Sequence, residues 1–308
     1  MNWSELRAKL LGAQGAFVLP PAVKLPMMPA AVMEFTKYAD DPAATPKKLA
    51  EIIEIDAGLS CELLKHVNSA AMGLRHSVST VKQAISILGI RTVKLMLLTS
   101  AAKNMISNRQ SKLIHLPTFW VENLEKALFA KEVARLLKAD EEVAFSSAML
   151  SDLLLPILTN EAYEPYFQFV KNQDADPQSI CNFERHLFKW DHACAGAHVL
   201  HGWYFPDDVV CAVYLHHDVE KLLESAELKS TAVAAVACAS LLPDAMKQRP
   251  DGLEKLIALA DRIPGFDLLQ VATSVQEKFQ TMCPAMTNHF PLIKRVEKHL
   301  FLTTTEET

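Results

Sequence analysis

Residues 52–94 have the sequence IIEIDAGLSCELLKHVNSAAMGLRHSVSTVKQAISILGIRTVK, and this stretch decides the fold class because it carries the start and stop signals of consecutive helices. Asp56 stands directly before a segment whose apolar residues recur at helical spacing: Leu59, Leu63, Leu64 and Val67. An aspartate at that place accepts hydrogen bonds from the free N–H groups of a helix's first turn. The spacing therefore predicts a capped helix with one apolar face.

A second helix signal follows in the same stretch. Ser79 and Thr80 precede the apolar positions Val81, Ala84, Ile85 and Leu88, and Gly89 provides a helix stop. A further helix is predicted from Arg91 to Met105, so the pair has the order of a DNA-binding helix-turn-helix. The later helix is apolar nearly all round, which is typical of a buried helix and excludes the reading of a DNA groove.

The composition favours helices throughout the chain. Half of the 308 residues are hydrophobic, yet only 7% are aromatic and only nine are glycine. Barrels, sandwiches and doubly wound sheets use more glycine in their turns and more aromatic residues in their strands. We therefore predict an all-α fold with enough apolar residues for one large or two moderate cores.

Charge and cysteine content exclude several classes of function. The formal net charge of −5 and the pI near 6.1 provide no basic surface for a nucleic acid. Six cysteines lie far apart without a CxxC pair, which excludes a zinc finger and indicates reduced thiols. No partner of the nucleic-acid class is expected.

Two further segments bear on location. The N-terminus lacks the pattern of a signal peptide and predicts a short amphipathic helix. The most apolar run, Ala144 to Leu158, is shorter than the roughly 20 residues of a membrane span and contains several polar residues, so it predicts a buried helix. We expect a cytoplasmic protein without a membrane partner.

The chain divides into two predicted helical lobes. Residues 1–18 form a leader, 19–112 an N-terminal lobe, and 113–218 a second lobe that follows the polar connector 104–112. Residues 219–308 form a helical C-terminal extension whose tail, 303–308, is predicted to be disordered.

Histidines are concentrated in the second lobe. Six of the eleven fall between positions 186 and 217: His186, His192, His198, His201, His216 and His217. His192 and His216 share helix faces with apolar residues, so both are predicted to point inward. Such clustering indicates either a metal site or a set of packed, hydrogen-bonded histidines.

Two parts of the sequence resemble the HDOD domains, a non-catalytic branch of the HD phosphohydrolase superfamily. The first part consists of LPPAVKLPMMPAAV, residues 19–32, together with residues 52–94 quoted above. The second part is FERHLFKWDHACAGAHVLHGWYFPDDVVCAVYLHHD, residues 183–218. The resemblance covers residues 19–218 and implies an HD-like architecture of two packed helical lobes.

The resemblance also implies a degenerate metal site. Active HD enzymes use a helical histidine, an adjacent His-Asp pair and a later aspartate to hold the metal that activates water. These positions fall at Glu122, at Ser151 and Asp152, and near Cys238–Ala239, so Asp152 alone keeps its residue. At Ser151 a neutral hydroxyl replaces the imidazole of active enzymes, and a hydroxyl is a much poorer ligand for a divalent metal ion. No metal cofactor is therefore expected.

His192, His216 and His217 match additional metal-binding histidines of the related HD-GYP cyclic-dinucleotide phosphodiesterases, although no GYP sequence follows His217. Together with Glu122, Ser151 and Asp152 they form the predicted ligand pocket or vestigial metal site. An ion pair between Asp152 and one of these histidines would satisfy both groups without any ligand.

The resemblance implies a bacterial signal-transduction protein that is not an enzyme and that binds regulatory protein partners. One alternative is a divergent metal-dependent phosphohydrolase that uses Glu122, Asp152 and the late histidines. Another is a sensor that binds a nucleotide in the old cavity without cleaving it. The sequence leaves the partner and the oligomeric state open.

Overall fold

The structure, a computed structural model, describes residues 1–12, 27–69, 74–107, 110–284 and 290–298. Within these ranges the regular structure is helical and contains no strand. The predicted all-α fold is therefore confirmed. The predicted disordered tail, 303–308, and the second part of the predicted leader lie outside the described residues.

The N-terminal lobe follows a first helix, α1 (Trp3–Gly12), and begins with the helix signals of the opening stretch. Asp56 accepts hydrogen bonds from the N–H groups of Gly58 and Leu59, and Thr80 accepts one from the N–H of Gln83. Both predicted caps are thus confirmed. The helices of this lobe are α2 (Ala30–Ala39), α3 (Pro46–Glu54), α4 (Ala57–Val67), α5 (Val81–Leu88) and α6 (Ile90–Ser107).

Helix α6 is the buried helix that its composition predicts. Gly89 adopts a φ of 84° between α5 and α6, and the two helices meet at an angle of 112°. Helix α6 packs against α2 and against the second lobe. The prediction of a polar connector from residue 104 was wrong for its first part, because Ile106 is fully buried and holds the helix to Ser107.

The second lobe is built around one long helix. Its helices are α7 (Leu116–Leu136), α8 (Glu141–Leu150), α9 (Leu155–Glu161), α10 (Tyr163–Asn172), α11 (Ile180–Phe188), α12 (His192–Gly202) and α13 (Asp207–Leu215). The chain continues with α14 (Val219–Glu224), α15 (Ala232–Ala239), α16 (Gly252–Ala258), α17 (Leu268–Met282) and helical residues 292–298.

Residues beyond 218 belong to the same core as those before it. Helix α7 packs against α8, α15 and α17, and every residue of α15 is buried. Alanine side chains allow α15 to approach its neighbours closely. The C-terminal helices therefore cover the second lobe directly, while the predicted domain boundaries stay a prediction.

The apolar run 144–158 is buried, as predicted, but it is broken into α8 and α9. Glu141–Glu161 has the length and apolarity of a membrane span, yet 89% of its most apolar window is buried inside the protein. The break has a local cause. Pro156 has no N–H to donate to the carbonyl of Asp152, and its ring would collide with that carbonyl in a continuous helix. Asp152 consequently lies in a turn.

Candidate functional site

The turn between α8 and α9 places Asp152 in the interior of the second lobe. Asp152 is only 1% exposed. Its Oδ1 atom lies 3.3 Å from Nε2 of His192 and 3.6 Å from Nε2 of His216. The pairing of a buried carboxylate with imidazoles, expected from sequence, is present.

Helix ends bring the imidazoles to this carboxylate. His192 is the first residue of α12, whose N-terminus is capped by Asp191, and His216 and His217 directly follow α13. Nε2 of His192 lies 3.1 Å from Nε2 of His217 and 3.3 Å from Nε2 of His216. Three imidazole nitrogens and one carboxylate oxygen thus converge on one point.

An outer layer of acceptors fixes two of the rings. Nδ1 of His192 lies 2.6 Å from Glu184 Oε2, which also accepts a hydrogen bond from the backbone N–H of His192. Tyr166 donates its hydroxyl proton to the other oxygen of Glu184. Nδ1 of His216 lies 2.6 Å from the carbonyl oxygen of Val213. Both rings therefore turn their Nε2 atoms toward Asp152.

The four converging donors fit a single metal ion. The ligand atoms of Asp152, His192, His216 and His217 all lie within 4.8 Å of one another. In a tetrahedral zinc site, bonds of about 2.0 Å hold the ligand atoms roughly 3.3 Å apart. Oδ1 of Asp152 and Nδ1 of His217 are buried and lack a well-aligned hydrogen bond among the described residues. Glu184 would act as the outer carboxylate that orients a metal-binding histidine.

The histidines of this cluster differ in their affinity for protons, and protons compete with a metal ion for the imidazole nitrogens. Burial would lower the pKa of His192, but Glu184 and Asp152 outweigh burial and raise it to about 10. Burial and the neighbouring His216 and His192 hold the pKa of His217 well below its usual value. At neutral pH His192 is therefore a cation between two carboxylates, and a metal ion must displace its Nε2 proton.

A lysine occupies the other side of Asp152. Nζ of Lys126, on α7, lies 2.8 Å from Oδ2 of Asp152 and 3.2 Å from Oδ2 of Asp244. Burial would lower the pKa of Lys126, but these two carboxylates raise it above its usual range. The pKa of Asp152 lies well below its usual value, because Lys126, His192 and His216 outweigh its burial. The Lys126 ammonium group thus provides the positive charge that balances the Oδ2 side of Asp152 and Asp244.

Glu122 lies one helical turn from Lys126 and lines the adjoining cavity. Its Oε2 accepts a hydrogen bond from the N–H of Ala245, and burial together with Asp244 raises its pKa to about 7. The cavity has a volume of about 180 Å³ and is lined by Glu122, Lys126, Asp152 and Asp244 among others. Glu122 is thus near the cluster without belonging to the four converging donors.

Ser151 is buried beside Asp152 but is directed elsewhere. Its hydroxyl donates a hydrogen bond to the carbonyl of Ala148, one turn earlier in α8. The structure therefore brings Asp152, His192, His216 and His217 together, places Glu122 at the edge, and ties Ser151 to its own helix. Whether these residues bind a ligand stays a prediction.

Three residues of this site escaped the sequence analysis: Lys126, Asp244 and Glu184. Lys126 follows Glu122 at a spacing of four, which places both on one face of a helix. Asp244 lies in the Pro/Asp break after α15, so an acid does stand near the end of that helix although Cys238–Ala239 has none. Glu184 precedes the first cluster histidine by eight residues. Each signal is visible only once the partner is known.

Comparison with known proteins places this site in a family. The sequence matches the profile of the HDOD domain over residues 25–219. The chain belongs to the HDOD domain family. The matched range agrees with the resemblance noted for residues 19–218 and includes all four converging donors, while Asp244 and the helices that follow it lie beyond the range.

Two solved structures share the fold of this chain. An HDOD domain protein with unknown function from Geobacter sulfurreducens superimposes with a TM-score of 0.58 at 17% identity, over 98% of this chain and 96% of that chain. A candidate metal-dependent phosphohydrolase of Shewanella amazonensis SB2B gives a TM-score of 0.62 at 17% identity, over 91% and 98%. At such identities the similarity shows the fold alone.

One relative found by sequence is considerably longer than this chain. An uncharacterized protein of Treponema pallidum (strain Nichols) is 21% identical over 197 residues, which are 63% of this chain and 38% of that protein. This HDOD chain thus spans well under two thirds of that relative.

Proposed function

We propose that this HDOD protein is a non-enzymatic regulatory protein of the bacterial cytoplasm that acts by binding protein partners. The observation that carries the proposal is the contact between Lys126 and Asp152. The only acid retained from the His-Asp pair uses one oxygen for an ammonium group 2.8 Å away. A catalytic metal that needs both oxygens, or a second ion beside them, would meet a fixed positive charge there.

The coordination geometry supports the same conclusion. Catalytic zinc sites keep one position open for water, whereas structural sites fill all four with protein donors. Here a tetrahedral ion would receive one bond each from Asp152, His192, His216 and His217. With all four positions filled by these residues, such an ion would stabilise the fold and would leave no open position for a water molecule.

The size of the cavity beside Asp152 lends no support to a nucleotide ligand. Small-molecule sites commonly have volumes of about 300–1,000 Å³. The cavity that adjoins Asp152 and Lys126 has a volume of about 180 Å³.

A structural neighbour further supports a regulatory role. A protein from Marinobacter aquaeolei VT8, described as a candidate signal transduction protein, superimposes with a TM-score of 0.54 at 17% identity. The match covers all of this chain and 67% of that chain.

The test is a metal and hydrolysis assay on protein purified without chelator. We expect no turnover of bis-p-nitrophenyl phosphate, cyclic dinucleotides or (p)ppGpp, with or without added Zn²⁺, Mn²⁺ or Fe²⁺. Turnover that depends on stoichiometric metal would overturn the proposal. A Lys126→Met variant that gains turnover would show that this lysine is what suppresses catalysis.

A second candidate function is metal-dependent phosphoester hydrolysis, favoured by the convergence of three Nε2 atoms on Asp152. It predicts that Asp152→Asn and His216→Gln each lose metal and turnover while the far-ultraviolet circular dichroism is unchanged. Wild-type protein that binds metal without turnover would exclude this candidate.

A further inference from the structure

The first helix is held on the second lobe by one incompletely buried face. This face is a stripe of half-buried residues at helical spacing: Trp3, Leu6, Arg7, Leu10 and Leu11. None of the ten described residues of α1 is fully buried. Helix α1 packs against α13 and, to a smaller extent, α12.

Arg7 and Trp3 make the polar contacts of α1 with its seat. Nε of Arg7 lies 2.9 Å from Oδ1 of Asp207, and Nη1 lies 3.1 Å from Nε2 of His201. The backbone carbonyl of Trp3 faces the thiol of Cys211 at 3.8 Å. Cys211 itself is fully buried, so the seat of α1 includes atoms that this helix shields from solvent.

Release of α1 costs little compared with unfolding of the lobe. A helix of ten residues is marginal on its own and depends on packing for its stability. Because its side chains are only half-buried, α1 contributes less apolar burial than the core helices, and such segments open at low free energy. Helix α13 keeps its contacts with α8 and α15 when α1 leaves, and α12 keeps its contacts with α13 and α11.

We propose that the face of α12 and α13 covered by α1 is a docking site for an amphipathic helix of a partner protein, and that α1 is its resident, displaceable occupant. The seat defines the chemistry of the partner: an apolar stripe at helical spacing and an arginine that reaches Asp207 and His201. This mode of recognition is that of a helix in a groove. The inference rests on the proposed role in partner binding and adds where and what the protein binds.

An open groove continues from the same seat. It has a volume of about 890 Å³ and lies between the two lobes, where His201 and Asp207 are shared with the α1 contact. Tyr204 lines this groove, is 62% exposed and has a φ of 62°. A left-handed conformation is costly for a tyrosine, and here it holds an aromatic ring in the groove. A partner segment longer than α1 would meet this ring next.

Cys211 provides a native probe of the seat. We would measure its alkylation rate by mass spectrometry in the full chain, with the buried Cys238 as the reporter of global unfolding. Arg7→Glu should raise the rate at Cys211 severalfold while Cys238 stays unmodified, and Asp207→Arg in the same chain should reverse the effect. Leu6→Ala, which loosens the apolar stripe instead, should also raise it. Unchanged rates in both single variants would overturn the proposal.

A second experiment tests the partner chemistry. A labelled peptide of residues 1–12 should bind the Arg7→Glu chain with saturable anisotropy and protect Cys211, whereas the same peptide with Arg7→Glu should not. Failure of the peptide to bind or protect contradicts the docking site, and dimer formation by the Arg7→Glu chain would assign the seat to a second copy and overturn the proposed partner. Neither result depends on the hydrolysis assays.

Discussion

The ammonium group of Lys126 lies 2.8 Å from the carboxylate of Asp152, and the side chains of both residues are at most 5% exposed. The same ammonium group contacts Asp244. In this HDOD protein, the positive charge of Lys126 thus neutralises part of the negative charge of Asp152 that a metal ion would otherwise neutralise. The consequences of this contact can be measured.

Replacement of Lys126 should expose the cost of two buried carboxylates. Lys126→Met removes the ammonium group shared by Asp152 and Asp244. Asp152 keeps its contact with His192, whereas Asp244 loses its contact with Lys126, and we expect the free energy of unfolding to fall by about 3–5 kcal/mol in the presence of chelator. Urea denaturation measures it. Lys131→Met is the matched control on the same helix, because the pair of Lys131 with Glu142 is partly exposed and should cost less than about 1 kcal/mol. Equal losses in the two variants would contradict the role of Lys126.

The charge on His192 should make the stability of the metal-free protein depend on pH. The pKa of His192 is raised to about 10 from 6.5. Its stabilising contribution is therefore fully present below pH 6.5 and is lost as the pH rises towards 10. Between pH 6.5 and 9.5 we expect a loss on the order of 1–3 kcal/mol, measured by urea denaturation with chelator. His192→Gln should flatten this dependence, and the exposed His186→Gln should leave it intact.

The outer carboxylate should control metal affinity without touching the ion. Isothermal titration with Zn²⁺ should show one site per chain, and His216→Gln should abolish it. Glu184→Gln should weaken binding by about 10–100-fold, because Glu184 orients His192. Affinity that is unchanged in both variants would place the zinc elsewhere, and His186→Gln serves as the control for removal of a histidine.

The loop that carries Asp244 should depend on Arg295. Arg295 donates a hydrogen bond to the carbonyl of Pro243 at 2.9 Å and pairs with Glu125 on α7. Arg295→Ala should raise hydrogen exchange at the backbone N–H of Ala245, which otherwise donates to Glu122, and should cost about 1–3 kcal/mol. Lys294→Ala removes only an exposed pair with Glu297 and should leave the exchange rate unchanged.

Much of the fold was predictable because its signals are local. The caps at Asp56 and Thr80 and the stop at Gly89 act on their nearest neighbours, so no knowledge of the rest of the chain is needed. The candidate site was predictable in part. The inward direction of His192 and His216 follows from the apolar residues on their helix faces, and both histidines are indeed buried.

The rest of the site could not be predicted in this way. Glu122 and Ser151 were identified by their positions in the sequence, yet one lies at the edge of the cluster and the other bonds within its own helix. A position in a pattern does not fix the direction of a side chain. Helix α6 also continues into the first part of the predicted connector, to Ser107, because burial of Ile106 outweighs the polar composition around it.

The sequence by itself determined the all-α fold class and the caps at Asp56 and Thr80, because these signals act on the nearest residues of the chain. Pro156 favours the turn at Asp152, although the apolar composition of residues 144–158 predicts a single buried helix. Only the tertiary structure decided which charges meet at that turn. Lys126 and Asp244 are 118 residues apart, and their contact depends on how α7 packs against α8 and α15. Periodicity fixes the face on which a side chain lies, whereas the distance between side chains of different helices depends on their packing geometry.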